Sequence, residues 1–309
     1  MTKHKLKAFS LIELSIVILV IGILIAGIME GRNVLYKAKL SAARALSQSS
    51  DVASIKNLVV WVDATQENAI TNTNLTKNVE NGDSVKSWKD RSPQYTPNLV
   101  FSTSESGTYP TFRENAINGL PALEFDGVNN TGDYLEAAST ARINQLENFA
   151  IFAVFTALPG YSSTESRIGI LLKREATISN EVYGMIFNGV SKTIGSIVID
   201  SSNSVTFTSS AVNGIKDNIP AIGFVQHATG ISSGFVSYIN GAASGNAANP
   251  LSSISSDSSA LAIGRGRTVT RYFKGYISEI IMYNKALTKE ERKSVEKYLG
   301  KKWGIAVAS

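Results

Sequence analysis

The sequence predicts a long N-terminal α-helix followed by an all-β sandwich with a short C-terminal helix. An apolar run at 9–29 contains a single ionisable side chain, that of Glu13. After it, short β-like runs recur at fairly even spacing, separated by Asn, Gly, Ser and Pro, as is typical of sandwiches. Near the C-terminus, Thr288 and Glu291 form a capping-box pattern, which marks the start of a helix.

The apolar run is long enough to cross a membrane. As a helix it would span about 31 Å, close to the hydrocarbon thickness of a bilayer. We expect the helix to continue to residue 56, because 30–56 contains no Pro and its small and apolar residues recur at helical spacing. The predicted organisation is a leader at 1–8, a helix at 9–56 and a β-sandwich domain at 57–309. Within the helix, 9–29 is the transmembrane half and the remainder is amphipathic.

The apolar run differs from two common membrane signals. It is longer than the apolar region of a secretory signal peptide, which has about 7–15 residues. A plain single-pass anchor is the simpler alternative, but Glu13 argues against it. A carboxylate in the middle of a bilayer costs about 2.5–3.5 kcal/mol, so such a group usually has a partner.

Residues 7–14, Lys-Ala-Phe-Ser-Leu-Ile-Glu-Leu, resemble the class III leader and cleavage motif of type IV prepilins and pseudopilins. The resemblance implies cleavage between Ala8 and Phe9 on the cytoplasmic side and N-methylation of Phe9 by a prepilin peptidase/methyltransferase. It also implies that Glu13 neutralises the new N-terminal amine of a neighbouring subunit during filament assembly. Ala8 departs from the family, which usually has Gly before the cut.

The same resemblance implies the partners and the location of the chain. The partners are other pilin subunits and an inner-membrane assembly platform. The location is the bacterial inner membrane before assembly and an extracellular filament at the cell surface afterwards. Many major pilins have a Pro in the N-terminal helix, whereas the first Pro here is Pro93. This departure favours a minor or specialised subunit.

Many short β-strands are predicted beyond the helix, with ten runs as examples. Asn240 and Gly241 predict a tight hairpin turn, and the low-complexity stretch at 242–259 predicts an exposed loop. The final helix is predicted to run from Thr288 to Leu299 and to stop at Gly300. The predicted strands are 58–62, 122–125, 150–156, 168–172, 183–188, 194–200, 221–226, 234–239, 261–264 and 275–283.

Several motifs of this domain resemble the laminin-G-like, concanavalin A-like jelly rolls of bacterial surface proteins. They are the segments 57–63, 85–92 (Val-Lys-Ser-Trp-Lys-Asp-Arg-Ser), 110–127 (ending Leu-Pro-Ala-Leu-Glu-Phe-Asp-Gly) and 275–303. The resemblance implies a concanavalin A-like jelly-roll sandwich. It does not fix an activity, because this fold carries lectins, adhesive modules, glycosidases and spacers.

The residues argue against an enzyme. Glycoside hydrolysis needs two carboxylates that flank the scissile bond, and Glu124 and Asp126 do share one face of a strand. Concanavalin A-like hydrolases have a second Glu shortly after the Asp, where this chain has Val128 and Asn129. The chain has two histidines and no cysteine, which excludes thiolate sites and a histidine-rich metal centre. We expect His227 to be a surface or half-buried histidine.

Calcium is the candidate cofactor. Asp126, Asn129, Asn130 and Asp133 gather hard oxygen ligands within eight residues, which suits calcium. The alternative is that these residues only form turns.

Tyrosines of the sandwich are candidates for binding ligands other than metals. Tyr95, Tyr109 and Tyr161 lie in loop-like stretches and are candidates for stacking on a glycan, although exposed tyrosines are also common without a function. Nucleic acid is a poor partner, because the chain lacks a basic patch interleaved with aromatic residues. Part of the net charge of +5 lies in the leader, at Lys3, Lys5 and Lys7.

Together these features predict a structural subunit, minor or specialised, of a type IV pilus-like filament. The subunit assembles through its apolar helix and displays a sandwich that mediates adhesion or binds a glycan or a surface protein. Two alternatives stay open: a pseudopilin of type II secretion, and a membrane-anchored, lectin-like surface adhesin.

Overall fold

The structure is a computed structural model of the chain, which separates into two compact units, Met1–Ala42 and Ala43–Ser309. The residues that the structure describes are 11–76, 78–103, 105–144, 146–161, 167–174, 181–199, 205–209, 214–231, 234–247, 254–255, 258–266 and 271–308.

The predicted N-terminal helix is confirmed as α1, Leu11–Gln48. Its apolar side chains are exposed along the first unit, from Leu11, which is 87% exposed, to Ile28, which is 63% exposed. It is the one helix in the described ranges that is long and apolar enough to cross a membrane. The helix ends before residue 56, because the Ser50 hydroxyl bonds to the carbonyl oxygen of Ser47 (2.9 Å) and a short 3₁₀ turn follows at Asp51–Ala53.

The second unit is a sandwich of two antiparallel sheets, as predicted. Sheet A has the order β15-β14-β13-β8-β17-β6-β5, and β1 pairs with the second half of the long strand β17. Sheet B has the order β12-β11-β10-β9-β16-β7-β4-β3-β2. In chain order the strands are β1 Leu58–Asp63, β2 Ile70–Asn72, β3 Val85–Lys89, β4 Val100–Ser102, β5 Thr111–Ile117, β6 Leu120–Asp126, β7 Leu135–Ala137, β8 Phe149–Ala157, β9 Ile168–Arg174, β10 Glu181–Asn188, β11 Thr193–Ile199, β12 Val205–Ser209, β13 Ala221–His227, β14 Phe235–Ile239, β15 Ala242–Ala247, β16 Leu261–Ile263 and β17 Lys274–Tyr283.

The main core lies between the two sheets, and a second core lies on the outer face of sheet A. Every residue of β8 is buried, because alternate side chains enter the two cores. Phe155 points into the main core, where it meets Phe187 and Phe273 edge to face. Phe152 belongs to the outer core, which is covered by the C-terminal helix α3, Lys289–Trp303.

Each of the ten predicted strands overlaps an observed strand, but the predicted loop at 242–259 is partly wrong. Its first residues form β15, which pairs with β14. Asn240 (φ 50°) and Gly241 (φ 76°) make the predicted tight turn, and both left-handed residues suit the twist of a hairpin. The turn returns the chain along β14, so the small residues that follow it extend the sheet.

The predicted start of α3 is confirmed, whereas its predicted end is wrong. Thr288 and Glu291 form the capping box. The helix continues through Gly300 and ends at Gly304, whose φ of 64° suits a C-terminal glycine. Gly300 instead allows Val307 to pack closely against the helix, because a Cβ atom at Gly300 would lie 2.6 Å from Val307 Cγ2.

A buried ionic network joins the end of α1 to the sandwich. The Lys302 ammonium donates to Asp63 Oδ2 (2.7 Å), Glu279 Oε2 (2.8 Å) and Ser47 Oγ (2.9 Å). The side chains of Lys302, Asp63 and Glu279 are 0% exposed. The network therefore ties together α1, β1, β17 and α3 away from water.

Neutral donors complete the hydrogen bonding of the Glu279 carboxylate. Its Oε1 accepts bonds from the Trp61 indole N–H (2.8 Å) and the Tyr298 hydroxyl (2.6 Å), and its Oε2 accepts one from the Trp303 indole N–H (2.7 Å). Each carboxylate oxygen is thus hydrogen-bonded, as a buried carboxylate requires.

The two carboxylates of the network differ in their pKa shifts. Burial alone would raise the pKa of Asp63, but Lys302 and hydrogen bonds from Thr65 outweigh burial and hold this pKa below its ordinary value. Burial raises the pKa of Glu279, Lys302 offsets part of that rise, and Asp63 adds to it. The Lys302 ammonium is shared by both carboxylates, which lie at nearly equal distances from it.

We predict that Lys302→Met destabilises the folded chain by about 3–5 kcal/mol, because it leaves two buried carboxylates without their cation. The measurement is the free energy of unfolding in denaturant. The matched control is Lys301→Met, which removes the neighbouring exposed lysine and should change stability by no more than about 0.5 kcal/mol. Equal effects of the two substitutions would contradict the role given to Lys302.

Candidate functional site

The structure describes only part of the predicted processing motif. Ala8 and Phe9 lie outside the described residues. Glu13 lies in the first turns of α1, within the apolar run. For this motif, the structure therefore shows only that Glu13 is part of a helix.

The exposed side of α1 is suited to an apolar environment. Leu14, Ile18 and Leu24 are each more than half exposed, and their neighbours along the helix are also apolar. Transfer of a Leu or Ile side chain from water to an apolar medium gains about 1.5–3 kcal/mol. The first unit can therefore gain free energy in a bilayer or against other apolar helices.

The structure brings Asp126 and Asp133 together across a turn. The Asp126 backbone N–H donates to Asp133 Oδ2, and the Asp133 backbone N–H donates to Asp126 Oδ1, both at 3.0 Å. Asp133 is buried, and Asp126 is exposed. Burial and the neighbouring carboxylate of Asp126 raise the pKa of Asp133 to about 7.

Asn129 and Asn130 lie on the exposed turn between these aspartates, and Asn130 has a left-handed backbone (φ 71°). Over the described ranges there is no group of three or more His, Cys, Asp or Glu side chains arranged to hold a metal ion. The two aspartates stabilise the turn, since the side chain of each accepts a hydrogen bond from the backbone N–H of the other. Calcium binding at this turn stays a prediction.

The three candidate tyrosines lie in different surroundings. The Tyr161 hydroxyl donates to the Lys274 carbonyl (2.6 Å) and accepts from the Lys274 N–H (2.8 Å), while its ring packs on Phe187. Tyr95 and Tyr109 are half-buried, with the guanidinium of Arg142 5.1 Å from the centre of the Tyr95 ring. Tyr161 is thus held by the sandwich itself, and a role of any of the three in glycan stacking stays a prediction.

The carboxylates considered for hydrolysis are bound in structural pairs. Glu124 forms an ion pair with Arg113 (2.5 Å), and Asp126 caps the turn described above. His227, expected at the surface or half-buried, is fully buried between Phe149 and Phe235. Its burial lowers the pKa to about 4, so its imidazole is neutral at physiological pH.

Two sets of residues were missed by the sequence analysis. The first set is Glu279 and Lys302, which belong to the buried network. In the sequence, Glu279 is a charged residue inside a strongly apolar run, and Lys302 is a charged residue beside Trp303. The second set is a row of lysines on α3 at intervals of four residues, and that spacing is visible in the sequence. The members of the row are Lys289, Lys293, Lys297 and Lys301.

The comparisons with known proteins agree with the fold. Residues 180–291 match the Laminin_G_3 family model, described as the concanavalin A-like lectin/glucanases superfamily. The comparison with curated proteins finds no match.

Solved structures with a similar fold include toxin binding domains. The binding domain of Paraclostridial Mosquitocidal Protein 1 has a TM-score of 0.54 and 13% identity, over 80% of this chain and 55% of that one. The botulinum neurotoxin serotype D binding domain has a TM-score of 0.54 and 12% identity, over 80% and 52%. A serotype D ligand binding domain in complex with N-acetylneuraminic acid has a TM-score of 0.53 and 14% identity, over 80% and 52%.

The chain spans about half the length of these toxin domains. At such low identities the likeness concerns the fold alone. The chain thus carries a laminin-G-like, concanavalin A-like β-sandwich behind a long apolar N-terminal helix.

The raised pKa of Asp133 predicts a pH-dependent stability. A carboxyl group with a raised pKa stabilises the fold fully below its ordinary pKa of 3.8, and this contribution is lost as the pH rises to about 7. Asp133→Asn keeps an acceptor and cannot ionise. Relative to the parent chain, we expect it to gain roughly 3–4 kcal/mol in unfolding free energy between about pH 4 and pH 8.

The measurement is denaturant unfolding of both chains across this pH range. Asp126→Asn is the second variant, and it should reduce the pH dependence by removing the neighbouring charge, whereas the larger effect of burial remains. A constant difference between Asp133→Asn and the parent chain would refute the raised pKa. Stabilisation by added calcium at about pH 8, absent from Asp133→Asn, would support the predicted calcium site.

Proposed function

We propose that this chain is a structural subunit of a type IV pilus-like filament, minor or specialised. The observation that carries the proposal is the apolar run of α1, whose apolar side chains are exposed from Leu11 to Ile28 and whose sequence contains Glu13 as its one acidic residue. Such a helix is stable in a bilayer before assembly and among other apolar helices afterwards.

Glu13 gives the helix its specificity for a filament. Cleavage between Ala8 and Phe9 by a prepilin peptidase/methyltransferase would leave a cationic amine at the start of the apolar helix. In an apolar core this amine and a carboxylate cost far less as a pair than apart. The Glu13 carboxylate of one subunit would therefore pair with the amine of a neighbour, and the inner-membrane assembly platform would supply subunits to the filament.

The sandwich would be the displayed part of the subunit. Ser47, in the last turn of α1, bonds to Asp63 Oδ2 (3.0 Å) and to Lys302, so the helix end is built into the folded domain. A subunit drawn into a filament by its helix would carry the sandwich to the cell surface. The same features fit a pseudopilin, which differs in the secretion machine that it serves.

We predict that Glu13→Ala inserts into the membrane normally but gives no filaments, because the neighbour's amine lacks its counter-charge. Membrane fractionation and the yield of sheared surface filaments are the two measurements. Glu30→Ala is the control, since Glu30 is an exposed acidic residue of α1 beyond the apolar run, and it should assemble like the parent chain. Normal filament yield from Glu13→Ala would refute the pairing.

The intact mass of the surface-exposed protein tests the processing separately. A mass that begins at methylated Phe9 supports the filament subunit. A mass that begins at Met1 supports the alternative of a membrane-anchored, lectin-like adhesin.

A second function, glycan binding, is favoured by the match of residues 180–291 to the concanavalin A-like lectin/glucanases model. We expect the full chain to bind a subset of glycans on an array and to leave them chemically intact. Tyr161→Phe removes only the hydroxyl held by Lys274, whereas Tyr109→Ala and Tyr95→Ala remove whole rings. Unchanged glycan binding in both ring-deletion variants would exclude stacking on Tyr95 and Tyr109.

A further inference from the structure

Three arginines start from neighbouring points of the backbone between β16 and β17. Arg265 and Tyr272 pair as an isolated antiparallel bridge, and the Gly266 N–H donates to the Arg271 carbonyl oxygen (2.6 Å). A Cβ atom at Gly266 would lie 2.7 Å from the Arg167 carbonyl oxygen. The segment that enters β9 therefore packs against the same place, and all three arginines there are half-buried.

The Arg265 guanidinium lies over two tyrosine rings. Its central carbon is 4.5 Å from the centre of the Tyr134 ring and 5.7 Å from the centre of the Tyr272 ring. Both tyrosines are buried, and their ring centres are 6.4 Å apart with an angle of 42° between the planes. Because a guanidinium is attracted to the face of an aromatic ring, the two rings hold this cation in a defined orientation.

The guanidinium of Arg265 lacks an acceptor. Within the described part of the chain, none of its nitrogens forms a hydrogen bond or an ion pair. Its Nε is the one nitrogen that is both buried and unpartnered, so the two terminal nitrogens are the ones that solvent reaches. A cation that is partly removed from water and left without an acceptor is unfavourable. An acceptor from outside the chain would relieve this at the accessible edge.

The nearby charged side chains are engaged elsewhere. Arg167, Arg271 and Glu136 each take part in interactions of their own, and none of these involves Arg265. Glu136 lies two residues after Tyr134, so the two side chains share one side of the chain. Burial raises the pKa of Tyr134, and Glu136 adds to this rise while Arg265 opposes it. Arg265 thus lies near one carboxylate without being paired to it.

We propose that Arg265 binds the carboxylate group of an acidic sugar in a glycan. A planar carboxylate accepts two parallel hydrogen bonds from the terminal nitrogens of a guanidinium, which is the pairing that arginine favours. The concanavalin A-like lectin/glucanases match at 180–291 includes Arg265, and this favours a sugar over an acidic protein segment as the source of the carboxylate. The inference rests on the proposed glycan binding and names the class of glycan.

Titration of the full chain in detergent micelles with glucuronate, followed by ligand-observed NMR, tests the proposal. Glucose is the matched control ligand, because it has the same ring with a hydroxymethyl group in place of the carboxylate. We expect glucose to bind about tenfold more weakly or less, since it cannot accept the charge-assisted pair of hydrogen bonds. Equal binding of the two sugars would overturn the proposal.

Two substitutions of Arg265 separate charge from geometry. Arg265→Gln removes the charge, whereas Arg265→Lys keeps the charge and loses the planar fork. We expect Arg265→Gln to weaken glucuronate binding about tenfold or more and Arg265→Lys to weaken it less. Unchanged binding in Arg265→Gln would refute the site, and parent-like binding in Arg265→Lys would refute the two-point contact.

The matched control variant is Arg113→Gln, which makes the same change of charge in sheet A, where Arg113 is paired with Glu124. It should bind glucuronate like the parent chain, and equal weakening by this control would overturn the proposal. Thermal unfolding of every variant shows whether it is folded. If Arg265→Gln does not fold, Arg265→Lys and the comparison of glucuronate with glucose on the parent chain decide the question.

Two further results separate this site from other sources of carboxylate and from glycan binding in general. Acetate carries the carboxylate without a sugar ring, so acetate binding as tight as that of glucuronate would overturn the assignment to a sugar. If neutral glycans bind on the array while glucuronate does not bind, the Arg265 site is refuted and glycan binding stands. Glucuronate binding that is lost in Arg265→Gln supports the site whatever the neutral glycans do.

Discussion

The buried ammonium of Lys302 is the constraint on which the rest of this structure depends. It forms ion pairs with Asp63 at the end of β1 and Glu279 in the middle of β17, and it bonds to Ser47 in the last turn of α1. Burying three charged groups is costly unless each is paired and hydrogen-bonded. The indole groups of Trp61 and Trp303 meet that requirement for Glu279. The end of the helix and the sandwich therefore fold as one unit, from Ala43 onward.

That junction matters because the two ends of α1 need different environments. Its first part exposes apolar side chains such as Leu11, whereas Ala43 and Ser47 are buried in the sandwich unit. The concanavalin A-like fold supplies a stable body without disulfides, since the chain has no cysteine. Under the proposed function, the helix would serve assembly and the sandwich would serve display.

Part of the site could be predicted because its signal is local. The apolar run with Glu13, the Asn240-Gly241 turn and the Thr288 capping box each depend on neighbours in sequence. The end of α3 was misjudged for the opposite reason. Gly300 looked like a helix stop, but its lack of a side chain accommodates Val307. The stop is Gly304, and the sequence offers both glycines equally.

The sequence by itself determined the apolar helix, the β-rich domain and most of its strands, because periodicity and turn chemistry are properties of short segments. Only the tertiary structure decided which charges are buried together, since Ser47, Asp63, Glu279 and Lys302 are far apart along the chain. It also decided that His227 is enclosed by aromatic rings. Long-range pairing of strands sets these neighbours, and no local pattern encodes them.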